Sequence, residues 1–433
     1  MQKKLIAVAV AGLLSAPVFA QTNVTISGVL NAGFENIHAS GGSVKLATNP
    51  TTGAGGIPSH NRIVDNSSEV RFTVEEDLGG GLKAFGTVGN QVDMGHDHPT
   101  GGRPATSLWG SRNTGVGLRS SKWGEIVMGR WDVQWHTLAG VDSHWIKGAG
   151  ANGVTGGSMT MGRGARAVAQ GGRLSNTVRY TSPSWNGFNV TAYYSRLSAE
   201  NPLVTTVAGH NEDSKDTVWS ITPMYNNGPW HAVYSYYHRN DQRNTAATTS
   251  PILGAIGEMD TRGHRAGVAY SFAMGLKVGI FWDQLKAHES ADVIATGTGS
   301  AKRTVWGIPV EYTTGPHTFG IAYAHMGDIH ASASVAATNT AVKLGDNSTG
   351  AHMWSLGYQY ALSKRTNLWV NYARINNERN AAYDFGANNA IGLGAGVNGG
   401  TGTGIGALAA GATPAGNAGA DPRTFGVGIR HVF

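Results

Sequence analysis

The sequence predicts an all-β fold: a transmembrane antiparallel β-barrel of 16 strands whose third long loop folds into the lumen. Three observations carry this. Seven tight-turn clusters recur along the chain, each flanked by alternating segments of roughly ten residues, the length of a tilted membrane strand. The alternation puts Trp and Tyr towards the ends of apolar faces, as a lipid-facing band needs. One stretch, 131–172, keeps neither the helical nor the strand period, and so long a gap in a compact domain is either disordered or functional.

The chain opens MQKKLIAVAVAGLLSAPVFA. Lys3 and Lys4 precede an apolar run from Leu5 to Leu14, and Val18 and Ala20 supply the small residues of a cleavage site. The expectation is a secretory leader over 1–20, removed to leave a single barrel domain over 21–433. The run is too short to span a bilayer as a helix. With no cysteine in an exported chain, stability must come from packing and backbone pairing. Of 33 basic and 27 acidic side chains the leader takes two lysines and no acid, so the remainder is mildly basic. It lacks the clustered Lys/Arg face of a nucleic-acid binder, and none is expected as a partner. The 63 glycines and a charged fraction of only 14% fit many strands joined by loops.

The tight turns are DLGGGL at 77–82, RSSKWG at 119–124, SPSWNG at 182–187, NNGP at 226–229, FAMG at 272–275, TTGP at 313–316 and LSKR at 362–365. Longer stretches fall near 38–61, 94–106, 131–172, 198–215, 240–257, 287–301, 327–349 and 377–421. Seven short turns and eight long loops make sixteen strands with both chain ends on the short-turn side, the layout of a bacterial outer-membrane barrel.

The faces agree. Trp230, Ala232, Tyr234 and Tyr236 alternate with His231, Ser235 and Tyr237; Trp306, Ile308, Val310 and Tyr312 oppose Arg303, Gly307 and Glu311. A soluble sandwich would pair such apolar faces and carry many charges outside. Phe425, Val427 and Ile429 alternate with Gly426, Gly428 and Arg430 up to Phe433, a last strand suited to close on VTISGVLNAGF at 24–34 and leave no open edge.

Six segments, VTISGVLNAGFE at 24–35, SSEVRFTVEEDLGGGLKAFG at 67–86, RNTGVGLRSSKWGEIVMGR at 112–130, RLSNTVRYTSPSWNGFNVTAYYS at 173–195, LGYQYALSKRTNLWVNY at 356–372 and FGVGIRHVF at 425–433, resemble the trimeric general porins of Gram-negative bacteria, in the branch typified by neisserial and other betaproteobacterial porins. The resemblance implies a homotrimeric outer-membrane porin, among outer-membrane lipid and lipopolysaccharide, with 131–172 as the constriction loop. Glu69 and Arg71 depart from the family pattern, which has Arg and Gly there. The last loop, 377–421, is long and Ala/Gly-rich.

A water-filled barrel turns polar side chains inward, and rings of charge at its narrowest point set selectivity. Alternation points Glu69 and Arg71 inward, opposite Val70 and Phe72, and Arg173 and Arg179 inward by the same count. Arg112 and Arg130 match arginines of the family's fourth and fifth strands, and the loop begins with the acids Asp132 and Asp142. These eight residues are the candidate lining. The expected function is passive diffusion of small hydrophilic solutes and ions with a mild preference for anions; the alternatives are a substrate-selective channel or an adhesin on a barrel scaffold. No cofactor, metal or catalysis is expected. His96 and His98 read as solvated loop residues, no Gly-x-Ser-x-Gly or HExxH turn is present, and GTGTGIGALAAGA at 400–412 lacks the strand-to-helix context of a phosphate cradle.

Overall fold

The computed structural model describes residues 23–41, 57–66, 68–92, 94, 109–133, 140–141, 173–196, 217–243, 257–289, 299–328, 330–331, 348–379, 381, 383 and 419–433. The leader, Asp142, His96, His98, the 400–412 stretch and most of each long connection lie outside them.

The strands are β1 (Asn23–Ser40), β2 (Ile57–Asp65), β3 (Glu69–Gly79), β4 (Leu82–Gln91), β5 (Thr114–Ser120), β6 (Gly124–Asp132), β7 (Arg173–Thr181), β8 (Phe188–Arg196) and β9 (Thr217–Asn227), followed by β10 (Trp230–Arg243), β11 (Gly257–Ser271), β12 (Leu276–Glu289), β13 (Gly299–Thr314), β14 (His317–Met326), β15 (His330–Ala331), β16 (Ala351–Ala361), β17 (Thr366–Asn377) and β18 (Asp421–Val432). All pair antiparallel in one sheet, and β1 pairs with β18 to close it. β2 and β3 both pair with β1, along Ala32–Ala39 and Asn23–Val29, so they are two halves of one stave. β14 and β15 likewise share β13. The barrel therefore has sixteen staves, as the turn count predicts. At the first break Asp65 accepts the Ser68 amide and the Ser68 hydroxyl accepts the Asn31 amide, which keeps the interrupted backbone paired.

All seven predicted turns join the strands they were expected to join, and the eight long connections fall where predicted. The strands differ in length from the expected ten: β10, β11, β12 and β13 have 14, 15, 14 and 16 residues. Their pairing continues past the apolar band, because neighbouring strands can go on satisfying each other's amides above the lipid.

Closure uses the last residue. The Gly28 amide donates to the Phe433 carbonyl at 2.9 Å and the Phe433 amide donates back to Gly28 at 3.1 Å. A Cβ on Gly28 would lie 2.6 Å from the Phe433 ring, so the glycine makes room for the terminal aromatic. The outer surface exposes Val24, Ile26, Met128, Trp230, Ile280, Leu356, Phe425 and Ile429, whereas Ser235, Thr191, Thr222, Asp283 and Arg265 are buried on the inner side. Apolar outside and polar inside is the reverse of a soluble domain and matches a barrel whose solvent outside is lipid.

Candidate functional site

The inner face of β3 to β7 carries a continuous row of charge. Lys83 Nζ lies 2.6 Å from Glu75, Glu75 also takes Arg119 at 3.2 Å, Arg119 reaches Glu125 at 3.3 Å, and Arg179 completes the row 3.7 Å from Glu125. Register explains the alignment: Lys83 pairs with Arg119, Arg119 with Glu125 and Val127 with Arg179, so residues two apart on adjacent inward positions touch. Two guanidiniums rest on rings, Arg119 over Phe85 at 4.0 Å and Arg179 over Trp131 at 5.5 Å. Two inward positions nearer the long-loop end, Arg71 Nη2 sits 2.5 Å from Glu69.

Next to this pair the wall turns basic. Arg112 is 8% exposed, its amide bonded to the Gly89 carbonyl at 3.0 Å. Burial, and after it the neighbouring Arg173, pushes its pKa down, while Glu69, Asp132 and Asp65 oppose that shift. An arginine starts so high that it stays charged. Arg173 Nε is 2.9 Å from Asp132 and donates to Asn113 Oδ1 at 3.0 Å; Arg130 donates to the Ser175 hydroxyl at 3.2 Å.

Across the barrel, Gly140 and Val141 lie against the inner face of β10 to β13. A Cβ on Gly140 would stand 3.3 Å from His231 Nδ1, and one on Gly279 would stand 2.7 Å from the Val141 carbonyl oxygen. Val141 is 1% exposed and packs in one apolar cluster with Val233, Ala269 and Phe281. Glycine at 267 and 279 leaves the wall free of side chains where this segment meets it. The same side holds a fully buried pair, Arg265 Nε to Asp283 at 2.8 Å.

The sequence profile of the Gram-negative porins matches residues 7–380. The chain belongs to the Gram-negative porin family. It is an outer-membrane channel protein built as a transmembrane β-barrel. Among its relatives, an outer membrane porin protein of Bordetella pertussis is 26% identical over 411 residues, covering 91% of this chain and 99% of the relative. The major outer membrane protein P.IB of Neisseria meningitidis serogroup B is 28% identical over 244 residues, 56% of this chain and 61% of that protein. Among solved structures, an anion-selective porin from Comamonas acidovorans superposes with a TM-score of 0.60 at 21% identity, over 95% of this chain and all of that one, which is a likeness of fold.

In this porin the candidate residues separate into groups. Glu69, Arg71 and Arg179 face inward, as counted. Arg112, Arg130, Asp132 and Arg173 gather where β5, β6 and β7 meet the long segment. The parity count fails for Arg173: the register shifts between Gly129 and Trp131, with Asn176 at φ 52°, so Leu174 takes the inner position beside Tyr193 and Val133. Asp142 lies outside the described residues. Lys83, Glu75, Arg119 and Glu125 were not among the candidates, although they share the inward parity of Arg71; the signal was present in the alternation around two of the tight turns.

Proposed function

We propose that the porin passes small hydrophilic solutes and ions by passive diffusion with a mild preference for anions, that residues 131–172 enter the lumen as its constriction, and that three copies assemble in the membrane among lipopolysaccharide. The observation that carries this reading is the position of Gly140 and Val141. The segment leaves the wall at β6, and these two residues lie on the inner face of β10 to β13. A segment that starts at one wall and has two residues on another supports a path across the opening between them.

The preference follows from charge. Among the described inward residues, Arg71, Lys83, Arg119 and Arg179 are balanced by Glu69, Glu75, Glu125 and Asp77, and Arg112 and Arg430 add to the cations. A lumen lined with excess positive charge concentrates anions and slows cations. Anion selectivity is also in the name of the Comamonas acidovorans structure.

Planar-bilayer recording tests the constriction. Deleting residues 143–170 should enlarge the single-channel conductance; equal conductance before and after would remove the loop from the lumen. Cross-linking of detergent-solubilised protein should stop at a three-chain product, and a monomer alone would end the trimer reading.

A further inference from the structure

The outer face of β14 and β16 brings together two imidazoles that solute passage does not use. Cross-strand register sets His325 directly opposite His352, 27 positions away in the chain, and their Nδ1 atoms stand 3.2 Å apart. Both face outward. Ile321 on β14 and Trp354 and Leu356 on β16 share their parity and are exposed, while Ala324, Met326, Ala351 and Met353, of the opposite parity, are buried. Residues directly opposite in such a ladder have Cβ atoms about 5 Å apart, close enough for two imidazoles to meet at one point.

Hydrogen bonding leaves this meeting one partner short. His352 Nδ1 also lies 2.7 Å from the Tyr323 hydroxyl oxygen. A neutral imidazole nitrogen either donates one proton or accepts through one lone pair. If His352 Nδ1 accepts, Tyr323 and His325 compete for the same lone pair; if it donates, they share the same proton. Protonating both rings would set two N–H groups head to head at 3.2 Å. A metal ion takes one lone pair from each ring and removes the conflict.

The spacing fits such an ion. Imidazole nitrogens bind zinc at about 2.0–2.1 Å, which puts two of them about 3.3 Å apart at the tetrahedral angle and about 2.9 Å apart at a right angle. The 3.2 Å between His325 and His352 falls within that span. Imidazole is a ligand for Cu2+, Zn2+ and Ni2+, whereas Mg2+ and Ca2+ take oxygens. Among the described residues no third histidine or carboxylate joins the pair, so water completes the coordination. Asp328 and Glu378, held by the amides of residues 348–350, act electrostatically on His325 and favour a cation beside it. The ring of Trp306 lies 5.7 Å from His325, and Tyr323, 6.1 Å from His352, packs 4.7 Å from Trp354. These rings hold the imidazoles in place, as the outer shell of a metal site does.

We propose that His325 and His352 form a binding site for a divalent first-row transition metal, Cu2+ in preference to Zn2+ or Ni2+, on the outer face of the barrel. The two Nδ1 atoms are the protein ligands, each ring keeps its proton on Nε2, and the Tyr323 hydroxyl turns to metal-bound water. The two strands flank the connection 327–350, so the ion clips β14 to β16 across its base. Because the two rings meet only when these strands are paired, the ion stabilises the folded barrel over the unfolded chain. The site is independent of the constriction and of ion selectivity.

The test uses full-length refolded protein in detergent, without an added histidine tag, and titrates it with copper, zinc and magnesium chlorides. H325Q and H352Q should each bind Cu2+ about tenfold or more weakly in calorimetry, at least the loss that follows removal of an outer-shell partner. H264Q changes a histidine that meets Tyr234 instead of a second imidazole, and should bind like the unaltered protein. All three should keep the β signature in circular dichroism. At one Cu2+ per chain, electron paramagnetic resonance should show two coordinated nitrogens in the unaltered protein and one in H325Q, and Cu2+ should raise the thermal midpoint of the unaltered protein more than that of H325Q. Binding of H325Q and H352Q within twofold of the unaltered protein would overturn the proposal, as would an equal loss in H264Q. So would a spectrum of the unaltered protein with fewer than two nitrogens, which needs no variant to fold, and so would displacement of Cu2+ by Mg2+, which would make the site a general cation site.

Discussion

The two sides of the inner wall use the same residue types to different ends. On β3 to β7, Lys83, Glu75 and Arg119 keep 44%, 27% and 38% of their side-chain surface in contact with solvent. On β11 and β12, Arg265 and Asp283 keep 0% and 2%. An exposed pair is screened and contributes little to stability, so its charge remains available to a passing ion. A buried pair is held by its own partner and has no field to spare, and each member becomes costly once the other is removed. On the proposed reading, the exposed set serves permeation and the buried set holds the barrel.

Substitutions can break that comparison. Asp283→Ala leaves Arg265 buried without this carboxylate and should destabilise the folded barrel by about 3–5 kcal/mol, measured by denaturant unfolding in detergent. Gly279→Val puts a side chain into the space taken by the Val141 carbonyl and should cost about 1–3 kcal/mol of local packing. That strain is relieved if residues 140–141 move off the wall, so conductance should change while Gly86→Val, with nothing within 4 Å of its Cβ, should leave it alone. Glu75→Gln in the exposed row should cost less than about 1 kcal/mol and act on ion selectivity instead. If Glu75→Gln destabilised as much as Asp283→Ala, the distinction between the two sides would fail.

The smallest effect concerns pH. Asp328, between β14 and β15, accepts the amides of Ser348, Thr349 and Gly350 at 2.9, 2.7 and 3.0 Å. Burial raises its pKa, but these hydrogen bonds outweigh burial and the net shift is downward from 3.8. A depressed carboxylate stabilises the fold fully above its unfolded value and loses that contribution as pH falls through the folded value. The junction should hold above about pH 4 and loosen below it. Asp328→Asn should flatten that acid limb in amide exchange of residues 348–350.

Much of this was legible in the sequence because a membrane barrel writes its rules locally. Each tight turn, such as NNGP at 226–229, and each alternating face, such as Trp306 to Tyr312, needs only its own ten residues to be read. Arg71 and Arg179 were placed inward by parity alone. Arg173 was not, because parity breaks at a bulge, and the positive φ at Asn176 has no mark in the residues around it. The ion row escaped for a different reason: Glu75 and Arg119 lie 44 positions apart, and only the register of β3, β4 and β5 brings them to 3.2 Å. The contact of Val141 with Gly279 is a tertiary fact of the same kind, in which two glycines that look like ordinary strand breakers turn out to be clearance.

The central claim is that exposed inward arginines set the channel's selectivity. The reversal potential of R71Q/R119Q/R179Q across a planar bilayer in a potassium chloride gradient, compared with the unaltered porin, tests it most directly. The unaltered porin should reverse at a potential of the sign for chloride over potassium, and the triple variant should shift towards potassium. An unaltered channel that prefers potassium, or a triple variant with an unchanged reversal potential, would contradict it.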